Sequence, residues 1–287
     1  MGQTDRWLMI QNDNELDLRL LELMGASTKD GESSIGMFGT GWKFGLALAL
    51  RKDMNVIIYS GNQRIEFSTM EEKIRNKPFD RVAFSLNGKR RRKTSMTTQL
   101  GRSDWDDEWM FLREVIANAF DEGGFQMHTV DSIDPDEAGE TGVTRVFLSI
   151  TPRIQEVLDN IENYIRRHGE VESNEDGKLF PPSIDNGRIY KRGIFVRELP
   201  YPSLFDYDLT NLKLTESRSA DSWDVQWEIR KTLKNASLET RRKVLRRIET
   251  AKNNESKLYE AELDFDDWGS LSKTAWSDAF TAEYGDD

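Results

Sequence analysis

Glu114, Asn118 and Asp121 stand at i, i+4 and i+7 in the run Glu114-Val-Ile-Ala-Asn118-Ala-Phe-Asp121. On a helix that spacing aligns a carboxylate, an amide and a second carboxylate along one face. Leu112, Val115, Ala119 and Phe120 form the opposite, apolar face and predict packing against a sheet. An asparagine oxygen can ligate Mg²⁺, which takes octahedral oxygen ligands and keeps waters beside substrate phosphates. A glutamate one turn earlier can orient or deprotonate a water attacking a γ-phosphate. A polar helix face in solvent is the alternative reading of this stripe taken alone.

A second constellation is Ser33-Ser-Ile-Gly36-Met-Phe38-Gly39-Thr-Gly41-Trp-Lys43, leading into a predicted helix from Trp42 to Arg51. Glycines without Cβ atoms let backbone amides approach phosphate oxygens, and a helix N-terminus adds partial positive charge. Lys43 can add a point charge to the same phosphates. The spacing matches neither GxxxxGK[ST] nor a strict GxGxxG.

Together these segments resemble the GHKL superfamily, the Bergerat-fold ATPases that include gyrase, heat-shock chaperone, histidine kinase and MutL. IGMFGTGWKFG is similar to its phosphate lid, and EVIANAFDE to its N-box, with Asn at plus four and Asp at plus seven. Gly25-Ala-Ser27-Thr-Lys29 looks like its Gly-x-Ser-x-Lys turn, and Thr141-Gly-Val-Thr144 resembles its closing strand, with glycine and threonine not adjacent.

The resemblance implies ATP and Mg²⁺ as ligands, with Asn118 holding the metal and Glu114 activating water. It places Gly36, Phe38, Gly39, Gly41 and Lys43 at the phosphates, and assigns Ser27, Lys29, Asp121 and Thr144 to the nucleotide. The family's adenine motif is Asp-x-Gly-x-Gly, whereas this chain offers Asn12-Asp13-Asn14-Glu15 without glycine. Asp13 is the first choice for the adenine carboxylate and Asn12 the second; Asp185-Asn186-Gly187 is a lower-ranked rival. The adenine-like segment and lid precede the N-box here, whereas the family runs N-box, adenine motif, lid and closing strand. A circular permutation accounts for this, an order similar to that of some viral ATP-binding proteins. The resemblance covers roughly residues 7 to 150.

These residues need a scaffold. The pattern predicts a strand at Leu8–Gln11, a helix at Leu16–Met24, and strands at Asn55–Ser60 and Arg64–Ser68 joined through Gly61-Asn62-Gln63. A strand at Val82–Leu86 follows, then a helix from Trp105 to Phe120 stopped by Gly123-Gly124. Next come a hairpin of Gln126–Ile133 with Thr144–Ile150 and a helix at Ile154–Arg167. The expected fold is α+β: a two-layer sandwich of mixed, mostly antiparallel sheet with helices on one face, over residues 1–168. Residues 169–287 are expected to hold a long loop, a β-hairpin, helices at Trp223–Leu233 and Leu238–Ala251, and an acidic tail from Glu260.

Bulk properties narrow the function classes. The chain has no cysteine, which excludes disulfides, thiolate catalysis and Cys-ligated metals. His128 and His168 stand apart without metal-ligand spacing. A net charge of -11 opposes general adsorption to nucleic acid or anionic membrane. The basic run Lys89–Lys93 is the one segment suited to nucleic-acid contact, although a solvated loop tip explains it more simply. No apolar run approaches membrane-spanning length and the start lacks a signal pattern, so a cytoplasmic setting is expected. The expected function is Mg²⁺-dependent ATP binding with slow hydrolysis, coupling nucleotide state to a protein partner. Two alternatives are a non-hydrolysing, nucleotide-gated interaction module and an acidic adaptor acting through its tail.

Overall fold

The computed structural model describes residues 6–17, 19, 40–215, 218–263 and 269–285. The predicted Leu16–Met24 helix and the glycine-rich loop lie largely outside them. The chain divides into two compact units, Met1–Asn160 and Ile161–Asp287, ahead of the boundary at residue 168 read from composition.

The first unit is a seven-stranded sheet with strands β1 (Trp7–Asp13), β2 (Val56–Gly61), β3 (Gln63–Ile74), β4 (Lys77–Leu86), β5 (Arg92–Thr97), β6 (Gln126–Val130) and β7 (Glu140–Ser149). Its spatial order is β5-β4-β3-β2-β7-β1-β6. Every neighbouring pair is antiparallel, which corrects the expected mixed sheet. The expected hairpin of β6 with β7 does not form either, because β1 lies between them, pairing Leu8 with Thr129 and with Leu148. Trp7–Ile10 is an apolar run that a central strand can bury on both sides, and hydropathy alone cannot tell which neighbours it will take.

Alternation then sorts the side chains. Met9, Tyr59 and Phe147 cluster with Ala138 of the short helix α3 (Pro135–Ala138) on one face. Leu8, Ile10, Ile58, Val146 and Leu148 are buried on the other. Helices α1 (Gly41–Arg51) and α2 (Glu108–Glu122) contribute nothing to the Met9 cluster and pack on the Leu8 face, with α4 (Pro152–Asp159) beside α2. Asp107 caps α2 by accepting from the Trp109 amide at 3.0 Å, and Arg153 Nη2 reaches the same carboxylate at 2.8 Å. Helix α4 stops at Asp159, short of the expected Arg167. Ile161–Asn163 forms a 3-10 turn and Ile165 bridges to Ile194.

The Gly61 hairpin forms with Ser60 opposite Gln63. Strands β3 and β4 run longer than expected and meet at Arg75-Asn76, both at positive φ, the backbone of a tight two-residue hairpin. Lys89–Arg91 form an exposed loop, but Arg92 and Lys93 open β5, the outermost strand. The basic run is thus not wholly a loop tip. Positive charge on an edge strand discourages pairing with another sheet.

The second unit replaces the expected long loop at 169–187 with strands. A five-stranded sheet is ordered β11-β10-β12-β9-β8, with β8 Glu172–Ser173, β9 Gly177–Phe180, β10 Asn186–Lys191, β11 Ile194–Pro202 and β12 Asp206–Leu209. Only the β10–β12 pair is parallel. The first two strands are too short and polar to show period-two alternation, so they read as loop. Helices α5 (Ser222–Lys234) and α6 (Leu238–Asn253) form where expected, capped by Asp221 and Ser237. Ile229, Leu233 and Val244 join Leu179, Ile189 and Tyr207 in one core.

The tail is not simply solvated. Glu260 is fully buried and accepts from Ser203 Oγ at 2.7 Å, Leu204 N at 3.0 Å and Tyr207 Oη at 2.5 Å. Helix α7 (Gly269–Tyr284) packs on α6, with an Arg242–Glu283 ion pair at 2.8 Å, and Trp276 lies against the core. Asp264, Asp266, Asp267 and Trp268 lie outside the described residues.

Burial pushes the Glu260 carboxyl above its ordinary value of 4.5. The native state therefore holds its proton more tightly than the unfolded chain. That stabilisation is complete below pH 4.5 and is lost as pH rises through the elevated native value. Urea unfolding followed from pH 4 to pH 8 is expected to show a shallower decline in stability for Glu260→Gln than for the parent chain. An identical slope would mean that this carboxyl titrates alike in both states.

Candidate functional site

The candidate site starts where the N-terminus of α1 meets the middle of α2. Gly41 and Gly45, one turn apart, share the face of α1 that α2 approaches. A Cβ on Gly41 would lie 2.0 Å from Glu114 Oε2, and one on Gly45 would lie 2.3 Å from the Phe111 ring. Side chains at either position would drive the helices apart, so the missing Cβ atoms set the contact. Trp42 adds an edge-to-face contact with Phe111, ring centroids 5.7 Å apart.

Glu114 is 1% exposed, and its carboxylate lies at the first turn of α1. Helix N-termini favour negative charge because their leading N–H groups lack helical acceptors. Helix α1 has no acidic residue in that turn, and its N-cap Thr40 makes no side-chain capping bond. Among the described residues the buried Thr40 hydroxyl has no hydrogen-bond partner. A capping or anion-binding role at this terminus thus falls to groups outside the helix itself. Lys43 follows within the same turn and is equally buried, and burial pulls its ammonium below the ordinary lysine value. The expected phosphate cation is therefore an enclosed one.

Asn118 lies one turn beyond Glu114 and is half-buried. Its Nδ2 donates to the Glu114 carbonyl at 2.7 Å. The amide nitrogen is thereby committed to the helix, and Oδ1 is the end turned away from that carbonyl. Half-buried Asp121 continues the stripe. From Glu114 to Glu122 the helix rises about 12 Å.

At the far end of α2, the end of β1 is fastened. Asp13 N donates to Gly123 O at 3.0 Å, and Asp13 Oδ1 lies 2.1 Å from where a Cβ on Gly124 would stand. Asn14 takes a φ of 70°, and its Nδ2 donates to Glu122 Oε2 at 3.3 Å. Asparagine tolerates this left-handed backbone better than other non-glycine residues. Asn14 therefore takes a backbone conformation ordinarily left to glycine. Asn12 itself is half-buried and donates to the Asp13 carbonyl, while Asp13 is exposed. The rival Asp185-Asn186-Gly187 opens the β10–β11 hairpin of the other unit.

Thr144, pictured at the nucleotide, is buried and bonded within the fold. Its Oγ1 donates to Asn14 O at 2.8 Å and accepts from Leu16 N at 3.1 Å. Glu15 joins the same latch, accepting from Gly142 N at 2.9 Å and lying against Gly61. Sequence reading missed Glu15 and Thr40, because latching and capping depend on which distant segments meet. The structure thus brings Gly41, Lys43 and Glu114 to one helix crossing and Asp13 to the other end of α2. Ser27, Lys29, Gly36, Phe38 and Gly39 lie outside the described residues.

The described residues contain no group of three or more His, Asp or Glu side chains arranged to hold a metal. The Asn118 oxygen could serve a Mg²⁺ ion only as one of several oxygen ligands. Comparison with family models, curated proteins and solved structures finds no match to this chain.

Thr144→Val keeps the shape of the buried side chain and strands both the Asn14 carbonyl and the Leu16 amide. Urea denaturation is expected to show a loss of about 1–3 kcal/mol. A loss under about 0.5 kcal/mol would mean that the latch does not hold this turn.

Proposed function

We propose that the first unit binds ATP with Mg²⁺ in a circularly permuted Bergerat-type pocket, between α2 and the segment leading into α1, and hydrolyses it slowly. The observation that carries this reading is the packing of the Glu114 carboxylate against Gly41, which joins the last glycine of the lid-like segment to the N-box-like helix. Permutation gains support from β6, which follows α2 directly and pairs with β1, the strand bearing the adenine-like segment.

In this reading Asn118 Oδ1 meets the cation, whose part is to neutralise charge on the β- and γ-phosphates. Glu114 orients or deprotonates the attacking water. Thr40 and the leading amides of α1 receive phosphate oxygens, and Lys43 supplies charge from within. Asp13 or Asn12 accepts from the adenine amino group. A nucleotide-dependent shift at the start of α1 would pass to a protein partner.

A second reading, a module that binds nucleotide without turnover, is favoured by the enclosure of Glu114. A carboxylate held so tightly reaches water only if the end of α1 moves.

Calorimetric titration with ADP and a non-hydrolysable ATP analogue, with and without Mg²⁺, together with phosphate-release assays, tests both readings. Glu114→Gln is expected to bind within about threefold of the parent and to lose turnover by a factor of about 100 or more. Asn118→Ala is expected to abolish the Mg²⁺ enhancement of binding. Absence of nucleotide binding in the parent chain would refute both readings, and binding without phosphate release would select the second.

A further inference from the structure

The second unit contains a cavity of about 450 Å³ beside the turn Arg192-Gly193, within the size range of small-molecule sites. Arg167, His168, Lys178 and Arg192 line it. Arg166 also lines it, but its guanidinium is tied back to Asp206 and to Pro181 O at 2.7 Å. Glu170 lies loosely against Lys178, at 3.6 Å, with both side chains partly exposed. The lining thus holds four arginine or lysine cations against two carboxylates, in a chain whose net charge is -11.

The second carboxylate sets the chemistry. Asp208 lines the cavity at 8% exposure, and its Oδ2 accepts from Gly193 N at 2.9 Å. The Arg192 amide is a second backbone donor to the same carboxylate. Burial raises its pKa to about 6. A carboxylate set among the cations of a cavity wall points to a ligand that brings hydroxyl donors as well as negative charge.

A bare anion would satisfy the cations but repel Asp208. A neutral sugar would satisfy Asp208 and leave the cations without a counter-charge. Polymeric nucleic acid needs a track of cations, which a chain of this charge opposes. We infer that this cavity binds a small sugar phosphate, its phosphate on Arg192, Arg167 and Lys178 and a hydroxyl donating to the Asp208 carboxylate.

The test is calorimetric titration of the full chain with ribose 5-phosphate, inorganic phosphate, ribose and a short single-stranded RNA. Ribose 5-phosphate is expected to bind at least about tenfold tighter than phosphate, with no measurable heat from ribose. Arg192→Ala, at an exposed position, is expected to weaken ribose 5-phosphate by about tenfold or more. Asp208→Asn, its fold checked by circular dichroism, is expected to bring ribose 5-phosphate down towards phosphate while phosphate binds no more weakly. Should that variant unfold, Lys178→Ala carries the test, with the same loss expected as for Arg192→Ala. Equal affinity for phosphate and ribose 5-phosphate would overturn the inference. So would an unchanged affinity in Arg192→Ala, binding of RNA alone, or no binding at about 10 mM ligand.

Discussion

The first unit depends on two glycines one turn apart on α1. Gly41 and Gly45 admit Glu114 and Phe111 of α2 to within contact of the α1 backbone. Close approach serves two ends that ordinarily conflict. It buries the Phe111 ring, a large apolar contribution. It also holds a carboxylate out of water, which is tolerable because the end of α1 offers partial positive charge there. A scaffold interaction and a chemically able group thus share one contact.

The rest of the unit fixes α2 along its length. Asp107 and Arg153 secure its start, and Asp13, Asn14 and the Gly123-Gly124 stop secure its end. Glu15 and Thr144 then tie the turn after β1 to β7. The polar stripe of α2 is held at both ends, and rigid support of this kind is what a binding constellation needs to keep its geometry.

The second unit uses buried carboxylates as fasteners. Asp206 accepts from Ser183 N at 3.0 Å and Arg188 N at 2.8 Å, Asp208 accepts from Gly193, and Glu260 accepts from three donors. Asp206 and Asp208 satisfy backbone amides that the short strands leave unpaired, and Glu260 adds two side-chain hydroxyls to one amide. The arrangement suits a small sheet with irregular edges, and it leaves acidic groups inside that respond to pH.

Local composition alone decided much of this protein. The helical stripe of Glu114, Asn118 and Asp121, the Gly61 hairpin, the α2 stop at Gly123-Gly124 and helices α5 and α6 follow from spacing, capping and turn chemistry, which act over a few residues. Tertiary structure decided what no local rule contains. It inserted β1 between β6 and β7, because an apolar strand fits any slot with the right register and only the assembled sheet selects one. It recruited Thr144 and Glu15 to a latch, turned much of the polar stretch 169–187 into strands, and buried Glu260 at the head of a stretch that reads as an acidic tail. In each case the deciding partner lies far away along the chain, so the free energy that fixes the outcome belongs to a pair of segments and is invisible in either one.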